Sequence, residues 1–178
     1  MKRLNKAGFT LIELLAVITI MGILMMVAIP SVSRTIENSR RDTFADNALT
    51  YVNTVRNAVM ADELACGTDE TTVSATPNGN YYFKINTSDQ QTKDIMEKVA
   101  LSSWGSAEIT GYVTWNKSTN ASTNRTTTTY SVCLEDSGDH GFDGYSLESA
   151  VSRSKILTAG AGCSTPTGTP TPVECKLK

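Results

Sequence analysis

Histidine is almost missing from this 178-residue chain: His140 stands alone. The four cysteines include no Cys-x-x-Cys pair. Zinc centres need closely spaced Cys and His ligands, so no zinc site is expected. Glycine-rich phosphate loops, nucleophile elbows and metalloprotease helices are absent as well. With no activated Ser or Cys beside it, His140 reads as an exposed loop residue. No catalytic residue and no enzyme activity are expected. Basic clusters are also scarce. Beyond Lys2, Arg3 and Lys6 the one concentration is Arg34, Arg40 and Arg41, which read as solvated or interfacial positions. A nucleic-acid-binding face on the globular part is therefore not expected.

What the start of the chain lacks is charge. From Phe9 to Ile29 there are 21 residues, and Glu13 is the only ionisable one. As a helix they reach about 32 Å at ~1.5 Å per residue, enough to cross a bilayer core of about 30 Å. Lys2, Arg3 and Lys6 precede them, and such a bias keeps that side cytoplasmic. An acid at mid-membrane costs about 2.5–3.5 kcal/mol, less near an interface. A helix start favours an anion by roughly 0.3–1 kcal/mol. Nothing within the apolar stretch can neutralise Glu13.

The stretch Lys6-Ala-Gly-Phe-Thr-Leu-Ile-Glu-Leu-Leu15 resembles the class III signal of type IV prepilins and type II secretion pseudopilins. The resemblance is specific over residues 1–35 and faint beyond. It implies cleavage after Gly8 by prepilin peptidase and methylation of the new amine on Phe9. Glu13 becomes the fifth mature residue, and Pro30 falls where the family's long helix usually kinks. The resemblance further implies that Glu13 pairs with a neighbouring subunit's amine and sets its register in a helical filament. Phe9, Glu13 and Pro30 are thus the candidate assembly residues. Two plainer readings compete. An ordinary secretory signal cut after Ser31-Val32-Ser33 does not fit so long an apolar run carrying an acid. A simple anchor explains the length but not Gly-Phe-Thr-Leu-Ile-Glu.

The expected organisation is a removed leader (1–8), a transmembrane and polymerisation helix (9–30), an amphipathic second half of that helix (31–65) and a globular head (66–178). The leader holds three of the 16 basic residues, leaving 13 against 18 acidic ones, a formal −5. The helix is expected to bend at Pro30 and run to about Leu64. Phe44, Ala48, Val52, Val55 and Val59 form one apolar face, opposite Asp42, Asp46, Thr50, Asn53 and Asn57. Cys66-Gly67 is expected to end it.

Residues 81–86, 109–116 and 127–134 read as strands. Ser88 to Gln91 reads as a capping box opening a short helix to about Leu101, with Ile95 and Val99 inward. Lys117 to Thr126 reads as an exposed hairpin loop. Tyr145 to Leu157 is ambiguous, and the tail from Gly160 is a Thr/Pro-rich loop. The fold class is α+β: a long N-terminal helix packed on an antiparallel sheet, type IV pilin-like.

Cys66, Cys133, Cys163 and Cys175 imply up to two disulfides on the outward side, with three connectivities open. The family resemblance implies a C-terminal Cys163–Cys175 loop, leaving Cys66 for Cys133. Asp136, Asp139 and Asp143 lie in a Gly-rich loop and are candidate calcium ligands. The EF-hand template fails there, and a solvated acidic turn is the alternative. No other cofactor is expected.

The reading is a structural subunit of a type IV pilus. The alternatives are a secretion or competence pseudopilin and a membrane-tethered ligand-binding module. Partners are copies of itself and other pilins, prepilin peptidase, the inner-membrane assembly machinery and, before assembly, the membrane. The expected location is the bacterial cytoplasmic membrane as a single-pass precursor, then the extracellular pilus.

Overall fold

A computed structural model describes residues 9–68, 70–96, 102–105 and 108–178. Leader residues 1–8, including Gly8, lie outside the described residues, as does Val99. The chain divides into two compact units, Met1–Ser39 and Arg40–Lys178. Helix α1, Leu11–Met60, starts in the first and ends in the second. It stays helical through Pro30, although proline cannot donate to the preceding turn.

In the second unit α1 is amphipathic. Phe44, Ala48, Val52 and Val55 are buried as their spacing predicts, with Ala45, Tyr51 and Ala58 beside them. Val59 is only half-buried against this core. Asp42, Asp46, Thr50, Asn53 and Asn57 are exposed. The helix stops at Met60, short of Leu64. The Glu63 N–H donates to the Ala58 carbonyl (3.0 Å) and the Asp62 N–H to the Val59 carbonyl (3.3 Å). This is a Schellman turn, with Asp62 left-handed at φ 57°. The Asp62 carboxylate accepts the Ser74 N–H at 2.9 Å, which fixes a conformation unusual for a side-chain-bearing residue.

Nine strands follow among the described residues: β1 Leu64–Cys66, β2 Thr71–Thr72, β3 Gly79–Asn86, β4 Ile109–Asn120, β5 Arg125–Asp136, β6 Gly141–Phe142, β7 Ser146–Leu147, β8 Ile156–Leu157 and β9 Val173–Leu177. Among the described residues they form one mostly antiparallel sheet in the order β2-β1-β9-β3-β4-β5-β6-β8, with β7 paired to β5. Alternation along β3 and β4 buries Tyr81, Phe83 and Ile85 together with Ile109, Val113 and Trp115. These meet Phe44, Tyr51, Val52 and Val55 in one core. The arrangement is the α+β one that the helix-then-strands order predicts, and it is pilin-like, as the resemblance implies. Gly111 in β4 is left-handed at φ 144°, and a Cβ there would collide with the Cys133 carbonyl on β5.

Several expectations are corrected. The tail is not all loop, because its last residues are β9, paired parallel to β3 and antiparallel to β1. Val173, Cys175 and Leu177 alternate with Glu174 and Lys176, a period-2 signal overshadowed by the Thr/Pro run before it. Lys117 to Thr126 is not a loop either. β4 and β5 continue as a paired ribbon to Asn120 and Arg125, leaving four turn residues. Thr119 and Thr126 hydroxyls bond across it at 2.9 Å. Threonine's β-branching favours the pleated strand, and its polarity decides only that the ribbon is exposed.

Helix α2, Gln90–Ile95, has Asp89 rather than Ser88 at its N-cap position, and no side chain there makes the hydrogen bond of a capping box. The Asn86 side chain accepts the Ser88 N–H at 2.9 Å and draws that residue into a turn. The ambiguous stretch 145–157 holds both β7 and β8, with short 3₁₀ turns between them.

The disulfides are Cys66–Cys175 and Cys133–Cys163, not Cys163–Cys175. Cys66 and Cys175 are directly opposed partners in β1 and β9, with Cα atoms 4.0 Å apart. Strand register therefore selects the pair. Cys133 on β5 joins Cys163, at a Cα separation of 5.6 Å. Tyr145 and Tyr112 hydroxyls also hold the segment after Cys163, at Ser164 and Thr165.

Candidate functional site at the helix N-terminus

Every residue from Phe9 to Ser39 is exposed in the N-terminal unit. Between Phe9 and Ser33 that surface is almost wholly apolar, with Glu13 its only charge. Burying a Leu, Ile, Val, Phe or Met side chain is worth about 1.5–3 kcal/mol. A surface of this kind is stable only when lipid or other helices cover it. By length and composition α1 is able to cross a membrane.

Glu13 is held at the helix start. Its Oε2 accepts the Thr10 N–H (2.8 Å) and the Thr10 hydroxyl (2.7 Å), while the Glu13 N–H donates to that hydroxyl oxygen at 3.3 Å. The reciprocal pattern is a capping box, which satisfies helix-end amides. The first helical bond runs from the Leu14 N–H to the Thr10 carbonyl (3.2 Å). The carboxylate is thus fixed one residue from Phe9. Its Oε1 accepts no hydrogen bond among the described residues and can take a cationic donor. Thr10 is not among the site residues expected from the sequence, although Thr-x-x-Glu ahead of an apolar run is the same kind of signal as Ser88 to Gln91.

The acidic loop is built differently from a cation cage. Asp136 is buried, while Asp139 and Asp143 are exposed. The Asp136 carboxylate accepts the Gly138 N–H (2.8 Å), the His140 N–H (3.0 Å) and the Ser102 hydroxyl, and pairs with His140 Nδ1 at 2.9 Å. Burial opposes its ionisation, but these hydrogen bonds outweigh it and hold the carboxyl below its usual range. His140 is half-buried rather than exposed, because its ring stacks on Trp104 at 4.5 Å, and Trp104 packs on Phe44 at 5.8 Å. Among the described residues no group of three or more His, Cys, Asp or Glu side chains is placed to hold a metal ion.

The decisive observation comes from the N-terminal segment. Residues 3–29 match the family model of the prokaryotic N-terminal methylation motif. The chain carries the type IV pilin and pseudopilin signal. No curated protein and no solved structure matches the chain. The methylation motif implies processing by prepilin peptidase and pilin-type assembly. Together with the apolar helix it fits a membrane-anchored precursor. It points to a structural, pilin-type protein.

Proposed function

We propose that the chain is a structural subunit of a type IV pilus. The observation that carries this reading is the methylation motif over residues 3–29, opening a helix whose exposed apolar surface holds one charge, Glu13. Residues 1–8 are removed after Gly8, Phe9 is N-methylated, and residues 9–30 are the membrane span and polymerisation helix. From residue 31 to Met60 the helix completes the stem, and the chain beyond it, from β1 onward, builds the sheet of the head. Pro30 lies where the membrane half of the stem gives way to the amphipathic half.

In assembly the Phe9 amine of one subunit approaches Glu13 of a neighbour. Both charges leave water, so each needs the other. Glu13 Oε1 receives the incoming amine while Oε2 keeps the Thr10 bonds. The subunit's partners are copies of itself and other pilins, prepilin peptidase and the inner-membrane assembly machinery. It begins as a single-pass precursor in the bacterial cytoplasmic membrane and ends in an extracellular filament. The exposed Thr-rich ribbon, Ser118 to Thr129, favours a pilus over a secretion or competence pseudopilus, because an exposed polar ribbon whose one charge is Arg125 suits a surface filament.

Two measurements test the reading. Intact-mass analysis of the exported protein should show a chain starting at methylated Phe9. A start at Arg34, or an unprocessed leader in normal filaments, would overturn it. Gly8→Val should block processing by crowding the cut site. Electron microscopy with antibody to the head should label filaments along their length. Label confined to the cell envelope would favour a tethered binding module.

A further inference from the structure

The sheet face carrying Asn80, Thr114, Asn116, Thr129 and Ser131 is roofed in part by the segment after Cys163. Between them lies a cleft of about 380 Å³, within the ~300–1,000 Å³ common to small-molecule sites. None of its lining residues is charged. The hydroxyls of Thr129, Ser131 and Thr167 and the Asn116 amide oxygen take part in no hydrogen bond among the described residues. Tyr145, 39% exposed, lines the same cleft. Two prolines, Pro166 and Pro172, add apolar ring faces.

The roof is fastened on several sides. Cys133–Cys163 anchors its start, the Tyr145 hydroxyl donates to the Ser164 carbonyl at 2.7 Å, and Asn80 Nδ2 donates to the Pro170 carbonyl at 3.0 Å. Asn116 Nδ2 in turn donates to Asn80 Oδ1 at 2.7 Å, orienting both amides. The cleft is therefore held open by bonds that do not depend on a ligand, which lowers the ordering cost of binding.

From this chemistry we infer a binding site for a neutral saccharide. Phosphate, sulfate and carboxylate ligands need a cation, and the cleft has none. An apolar tail would bury the unpartnered hydroxyls without replacing their water. A peptide adding as a strand needs free backbone groups, yet β4 is paired on both sides at Thr114 and Asn116. What remains is recognition by side-chain hydroxyls and amides beside an aromatic ring and two proline rings. A neutral sugar offers the matching set: hydroxyls that donate and accept, and apolar C–H faces. The inference is independent of the filament reading.

The test uses the full processed chain in a detergent without a sugar headgroup. It is applied to an array of neutral, sialylated and sulfated oligosaccharides, with a peptide array alongside. Neutral oligosaccharides should be retained. Thr129→Arg and Thr167→Arg fill the cleft from opposite walls at exposed positions. Each should weaken retention about tenfold or more, the scale of one lost well-formed contact. Both disulfides should stay intact, and if one variant fails to form them the other decides. No neutral saccharide retained by the wild type, a preference for charged ones, binding to peptides alone, or equal retention by a folded variant would each overturn the site.

Discussion

The N-terminal segment and the head solve opposite problems with similar residues. From Phe9 to Ser39 apolar side chains point outward on every side of α1, and none is buried within the chain. From Phe44 the same helix turns its apolar residues to one face and seals them against the sheet. The first region therefore needs lipid or neighbouring subunits, whereas the second carries its own core and two disulfides. The difference teaches where each kind of change should be felt. A substitution near Glu13 should alter assembly and leave the head alone. A substitution in the head should alter stability and leave the assembly surface alone.

The largest effect expected from breaking this division is at Glu13. Under the proposed pairing, Glu13→Val removes the acid that meets an incoming amine, leaving the amine buried and unpaired. That penalty is about 3–5 kcal/mol, more than a hundredfold per added subunit. Filament counts by electron microscopy should collapse, while the head keeps its thermal unfolding curve and both disulfides. Normal filament numbers built solely from Glu13→Val subunits would refute the mechanism.

Next come the cross-links. Cys66–Cys175 spans 109 residues and Cys133–Cys163 spans 30. In the chain-entropy model these stabilise by about 4.8 and about 3.6 kcal/mol. Denaturant titration of the Cys66→Ser/Cys175→Ser pair should show the larger loss. A Cys163–Cys175 peptide on non-reducing digestion would contradict the connectivity itself.

Gly111→Ala should cost the head about 2–4 kcal/mol, because it combines a disfavoured φ with a collision against β5. Membrane insertion of the first unit should not change. A thermal midpoint within about 2 °C of wild type would show that β4 and β5 can part there without loss.

The smallest effect sharpens the head's own electrostatics. Asp136 has a lower pKa folded than unfolded, so its contribution is present above its ordinary value of 3.8. It is lost as pH falls through the lower folded value. Asp136→Asn should cost about 1–3 kcal/mol near neutral pH by mismatching the donors around it. It should also flatten the fall in stability below about pH 4. An unchanged acid limb in that variant would remove Asp136 as its source.

How much was legible in the sequence varies by element. Phe44, Ala48, Val52 and Val55 were readable because a helix repeats its buried face locally. The inner parts of β3, β4 and β5 were readable because strands alternate. Thr119 and Thr126 look like loop residues by polarity, while their backbone preference is for a strand. Glu13 was readable as the one charge in an apolar run, whereas Thr10 becomes its partner only once the helix start brings its hydroxyl to the carboxylate. His140 looked exposed because its neighbours in sequence are polar. The Trp104 ring that covers it comes from another loop.

By itself the sequence determined the processing signal, the membrane-length helix with its single acid, the amphipathic switch and the α+β class. Each is a local pattern, carried by residues a few positions apart. The tertiary structure alone decided that β9 inserts between β1 and β3, that Cys66 therefore faces Cys175, and that Asp136 closes a turn instead of offering itself to a cation. Those outcomes depend on register between segments as much as 109 residues apart. Such register is set by the summed packing of the whole sheet, which no short stretch of chain encodes.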